Sequence, residues 1–131
     1  MNNIIEILSQ KEMFISSGKV KEELVKEAES KLGLNFSKEY RKYLCSFGTA
    51  SYYGHELTGI SDIDSSINVV DVTLSERNFF TNIPNTWYVI EQIHMDGIVI
   101  WQDEQGNIFR TMPNKTAIKI FDSLVAYIEK G

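Results

Sequence analysis

The chain has 131 residues with 13 basic and 18 acidic side chains, a formal net charge of −5, and 43% hydrophobic residues. That balance excludes a disordered tail or a fibrous repeat, and the length suits one domain spanning 1–131 that needs no disulfide or metal to fold. The acidic excess argues against a direct nucleic-acid binder, which needs positive charge to displace phosphate counterions, and suits a basic partner.

Residues 2–12 predict a short helix, capped by Asn2 or Asn3 and carrying Ile4, Ile7 and Leu8 on one face. Phe14 to Gly18 reads as a break. From Lys21 to Leu32 a stronger helix is predicted, its apolar stripe drawn by Val20, Leu24, Ala28 and Leu32, with Glu22–Lys26 and Glu27–Lys31 pairs on its exposed side. Gly33 supplies the left-handed residue that ends it. Ser37 caps a third helix, with Glu39 in its first turn, Tyr40, Tyr43, Leu44 and Phe47 on one face, and Gly48 at its close.

After Gly48 the short, glycine-bounded runs Ser51–Gly54 and His55–Gly59 suit extended structure, and Ser61 to Ser66 is a polar, acidic loop. Val69 to Phe80 fits neither period cleanly and is read as helix, ended by Pro84. Trp87–Glu91 and Ile98–Gln102 are strands rich in β-branched and aromatic residues. Asp103–Gly106 forms a turn into a returning strand, Asn107–Met112; Pro113 and Asn114 break it, and Ile118 and Ile120 mark a last short strand. Asp122 caps a closing helix with Phe121, Leu124, Val125 and Ile128 on one face. Helices first, an antiparallel meander in the middle and a helix last make an α+β layout.

Catalytic parts are few. His55, His94 and Cys45 have no metal-ligand spacing, and Cys45 sits among apolar neighbours as a packed core residue. Asp62, Asp64, Asp71 and Glu76 lack the alternation and central glycine of a calcium loop, and Gly54, Gly59 and Gly97 form no phosphate-cradling run. No catalytic, cofactor or metal site is therefore expected. Tyr52, Tyr53, Trp87 and Trp101 could stack on bases or sugars, but the net acidity removes the attraction such binding needs; exposed members would suit a protein interface. The lone cysteine, the absence of a basic, apolar leader and the short apolar runs lead to the expectation of a cytoplasmic protein without a membrane segment.

The stretch Glu27-Ala28-Glu29-Ser30-Lys31-Leu32-Gly33-Leu34-Asn35-Phe36-Ser37-Lys38-Glu39-Tyr40-Arg41-Lys42-Tyr43-Leu44 resembles the opening signature of the SUKH superfamily, the Smi/Knr-like proteins: a helix ending in E-x-x-L-G, then a helix opening on E-Y-(R/K)-x-(F/Y)-L. Gly59-Ile60, Arg77-Asn78, the run Asp103-Glu104-Gln105-Gly106-Asn107-Ile108-Phe109 and the closing Ser123–Ile128 resemble its later parts. Ser37 stands where the family often has proline, and Phe47 where it often has asparagine.

The resemblance implies helices packed on an antiparallel sheet of about five or six strands. It also implies a non-enzymatic role: in bacteria an immunity protein that occludes a cognate toxin, often a nuclease, with a regulatory or signalling adaptor of the cell-wall-assembly type as the alternative. An acidic inhibitor suits the basic face of a nuclease. The candidate contact residues are Glu56, Asp62, Asp64, Asp103 and Glu104, with Tyr52, Tyr53 and Trp101 as possible anchors.

Overall fold

The computed structural model describes residues 3–130. Among the described residues, five helices and two antiparallel sheets make an α+β fold. Helix α1 (Ile4–Ser9) is capped by Asn3, whose side-chain oxygen accepts the Glu6 N–H; Asn2, the other predicted cap, lies outside the described residues. Strand β1 (Ile15–Ser16), read from sequence as a break, pairs with β2 (Ala50–Tyr52), and β2 with β3 (His55–Leu57). Between β1 and β2 lie α2 (Glu22–Leu32) and α3 (Lys38–Phe47). Helix α4 (Val69–Arg77) then leads to the meander β4 (Tyr88–Gln92), β5 (Val99–Gln102), β6 (Ile108–Thr111) and β7 (Ile118–Phe121), and α5 (Leu124–Lys130) closes the chain. The expected sheet of five or six strands is thus split into one of three and one of four, with β3 reaching β4 through the Thr58 N–H donated to the Ile90 carbonyl at 2.8 Å.

Helix α2 corrects the predicted stripe. Its buried residues are Val25, Ala28, Glu29 and Leu32, whereas Leu24 is 45% exposed. A strict four-residue repeat drifts about 40° per step around a 3.6-residue helix, so a line through Val20, Leu24, Ala28 and Leu32 leaves the core face. The observed set has the i, i+3, i+4, i+7 spacing and includes a glutamate that sequence pattern assigns to the surface. Gly33 ends α2 at φ +69°, ψ +36°, the left-handed conformation expected of it.

Helix α4 owes its start to Asn68, whose side-chain oxygen accepts the Val70 and Asp71 N–H groups. Helix α5 departs from expectation. Ser123, not Asp122, caps it, accepting the Ala126 N–H at 3.0 Å, while Asp122 pairs with Lys119 at 2.7 Å and Phe121 belongs to β7.

Both faces of the four-stranded sheet are covered. Tyr88, Ile90, Ile100 and Ile108 join the main core with α1, α2, α3 and α5. Val89, Val99 and Trp101 face the other way, onto Trp87, Val72 of α4, and Phe80 and Ile83 of the segment that follows α4. A bulge between Val89 and Glu91 shifts the register of β4, and the strand is buried from Tyr88 through Glu91. Gly59 marks a close approach: a Cβ there would lie 1.8 Å from the Gly48 carbonyl oxygen at the end of α3.

Candidate partner-binding surface

The acids of the helical signature turn inward. Glu29 Oε2 accepts the Phe36 N–H at 2.8 Å and both the Nε and Nη2 of Arg41, at 2.9 and 2.7 Å, which ties α2 to the start of α3 across the Gly33–Phe36 loop. Glu39 takes the first amides of α5, Leu124 N–H at 2.7 Å and Val125 N–H at 2.9 Å, and also the Gln102 side-chain amide at 3.0 Å. A carboxylate at a helix N-terminus meets unpaired amides and the positive end of the dipole, so this contact fixes α5 against α3.

A second buried acid, Glu91 on β4, joins β3, β4 and α5. Tyr127 donates its hydroxyl to Oε1 at 2.5 Å, the Glu56 N–H points at Oε2, and His55 Nδ1 lies 3.0 and 3.2 Å from the two carboxylate oxygens. Burial pushes the Tyr127 and Tyr52 hydroxyls well above the usual phenol range, and the neighbouring Glu91 charge pushes the same way. These residues hold one another in place, joining β3, β4 and α5 around the carboxylate.

The predicted contact residues fall into three separate places. Tyr53 is 69% exposed at the β2–β3 turn, with Glu56 exposed nearby on β3. Asp62 and Asp64 stand exposed on the loop between β3 and α4. Asp103 and Glu104 form the β5–β6 turn, where Asp103 is spent on the turn itself, accepting the Asn107 N–H and side-chain amide, and Glu104 reaches Asn35 beyond the end of α2 at 3.4 Å. The acidic loop borders a groove lined along α2 from Leu24 to Lys31, whereas Glu104 meets Asn35 beyond the end of that helix and is not part of the groove lining.

Two expected anchors are corrected. Trp101 is fully buried in the second core, its Nε1–H donated to Thr111 Oγ1 at 2.8 Å. Tyr52 is 2% exposed, stacked on His55 at 5.0 Å, with a buried hydroxyl lacking a hydrogen-bond partner among the described residues. Because the four-stranded sheet is covered on both faces, Trp101 is taken up in packing, and Tyr52 on the three-stranded sheet joins the main core.

Sequence reasoning passed over the residues that do offer apolar surface. A groove of about 540 Å³ runs between α2, with the segment before it, and the 60–71 segment, lined among others by Val20, Leu24, Ile63, Asp62 and Asp71. A larger one, about 800 Å³, lies between the segment after α4 and the β6–β7 loop, with Phe79, Ile83 and Met112 along it and Glu76, His94 and Lys115 as its ionisable groups. The signal for the first was the triplet Asp62-Ile63-Asp64, a lone large apolar residue between two acids in a polar loop. Among the described residues no group of three or more His, Cys, Asp or Glu side chains is placed to hold a metal ion, and no helix is long and apolar enough to cross a membrane.

A crystal structure of a protein from Pseudomonas syringae pv. tomato has a similar fold, with a TM-score of 0.73 over 95% of this chain and 92% of that one at 16% sequence identity. Comparison with curated proteins finds no significant match. The family model SUKH_5, described as SMI1-KNR4 cell-wall, matches residues 1–130. With the E-x-x-L-G and E-Y-R-K-Y-L signatures now seen as the hydrogen-bonded joints of the fold, the chain belongs to the SMI1-KNR4 (SUKH) family.

Proposed function

We propose that this chain is a cytoplasmic, non-enzymatic immunity protein that binds a cognate bacterial toxin, of basic, nuclease type, and blocks its active face. The observation that carries the reading is the surface left over once the family's signature acids have gone into the fold. Glu56, Asp62, Asp64, Asp71 and Glu104 all stand exposed on a chain of net charge −5. A nuclease face must hold phosphates with lysine and arginine, and an acidic inhibitor meets the same charges, which speeds encounter and fixes orientation.

The family description, SMI1-KNR4 cell-wall, favours a second reading, a regulatory adaptor of cell-wall assembly. Co-expression with the toxin domain encoded beside this chain separates the two. Under the immunity reading cells survive, the purified domains associate, and the association rate falls steeply between low and physiological salt. Equal death with and without the chain, and no complex at low salt, would overturn it and leave the adaptor.

A further inference from the structure

We propose that the groove between α2 and the 60–71 segment is where the toxin docks, taking an aliphatic side chain flanked by lysine or arginine, with Ile63 as this protein's anchor; the inference rests on the immunity reading. Ile63 is 93% exposed, the most exposed of the large apolar residues, and Leu24 on the facing wall is 45% exposed. The loop that carries Ile63 is held in shape before any partner arrives. Ser61 Oγ accepts the Asp64 N–H at 3.0 Å, Asp64 Oδ1 accepts the N–H and hydroxyl of Ser66, and the Asn68 side-chain amide donates to the Ser61 carbonyl at 2.8 Å. A pre-shaped loop loses little conformational entropy on binding, which is where an exposed anchor gains its affinity.

The charge around the groove sets the partner's sign. Lys31 is paired with Glu27 at 3.1 Å, so those lining charges cancel. Of the ionisable groups left in the lining, Lys19 faces Asp62 and Asp71, neither of which has a side-chain ion-pair or hydrogen-bond partner among the described residues, and Asp64 adds a further carboxylate beside Ile63. The larger groove has no such bias: its Glu76 accepts from Gln92 at 2.7 Å, and Lys115 balances the charge. An apolar cleft with a negative rim selects a basic surface carrying an apolar projection, and excludes an acidic one by repulsion.

The test uses the full chain and the toxin domain encoded beside it, inactivated at its catalytic residue, in surface plasmon resonance at two salt concentrations. Every substituted side chain is exposed, so the fold is kept. Ile63→Ser is expected to weaken the complex at least tenfold, mostly through faster dissociation, because the anchor's apolar burial is lost. Asp62→Lys with Asp71→Lys is expected to slow association several-fold and flatten its salt dependence, while Glu104→Lys, outside the groove lining, stays within twofold of the unaltered chain. If the unaltered chain binds and the groove variants bind within twofold of it, the groove is refuted while the immunity reading stands. If the unaltered chain does not bind at all, the immunity reading fails and this inference falls with it.

Discussion

Replacing Glu29 tests whether the family signature is structural. In Glu29→Ala the Phe36 amide, buried and bonded at 2.8 Å, loses its acceptor, and an orphaned buried amide costs about 1–3 kcal/mol. The Arg41 side chain is 45% exposed, so its ion pair is screened and adds no more than about 1 kcal/mol. The sum is about 3 kcal/mol, or roughly 10 °C in Tm for a chain of this size. Glu29→Gln can still accept from Phe36 but turns an amide toward the guanidinium, and should lose about 1 kcal/mol. Arg41→Ala removes only the screened pair and should lose less than about 1 kcal/mol. Thermal and urea unfolding followed by circular dichroism would rank the three. A Glu29→Ala shift under about 2 °C, or an Arg41→Ala loss equal to it, would refute the assignment of this carboxylate to the loop amide.

Gly59→Ala places a Cβ 1.8 Å from the Gly48 carbonyl oxygen and 2.9 Å from Thr49 Cα, both backbone atoms, and should cost about 3 kcal/mol or more, read as a collapse in Tm. Gly54→Ala, at φ +83° with open space around it, should cost only about 1 kcal/mol. Glu39→Gln removes the charge at the start of α5 and should lose about 1–2 kcal/mol, with hydrogen exchange rising first at Leu124 and Val125. At high pH the buried hydroxyls of Tyr40, Tyr43, Tyr52, Tyr88 and Tyr127 resist ionisation because desolvation raises each. The unfolded chain ionises them near pH 10, so stability is full below that and falls above it by about 1.4 kcal/mol per pH unit for each group. Their tyrosinate absorbance should therefore rise together with loss of the circular dichroism signal; a separate, earlier rise would contradict it.

Much of this architecture is legible in the sequence because local chemistry and tertiary packing agree. Ser37, Gly33 and Gly48 punctuate the helical hairpin where capping rules place them, and the 103–107 turn carries its own Asp–Asn contact. What stayed hidden required knowledge of a distant partner. Strand β1 is two residues long and exists through its pairing with β2, and Ser123 shares the capping of α5 with a glutamate on α3. Glu29 reads as a solvated helix position unless the returning loop that donates to it is known. The exposure of Asp62, Asp64 and Glu104 agrees with their polar loop setting, but nothing in the spacing says that the 62–64 loop lies beside α2 while the 103–104 turn meets Asn35.

The same logic explains why Trp101 and Tyr52 are buried rather than offered to a partner. Tryptophan and tyrosine dominate interfaces in general, which points to Trp101 and Tyr52. In a chain this short, though, a sheet covered on both faces must fill two cores, and its largest side chains are drawn into them: Trp87 stacks on Phe109 at 3.9 Å, and Phe80 meets Trp101 edge-on. What remains for recognition comes from elements that pack least, the loops and the outward side of α2. There an isoleucine that the core does not claim, set between two aspartates, is worth more as a signal than an aromatic strand residue. Exposed loop residues leave the fold intact when they change, whereas Glu29, Glu39 and Glu91 are each bonded to more than one element.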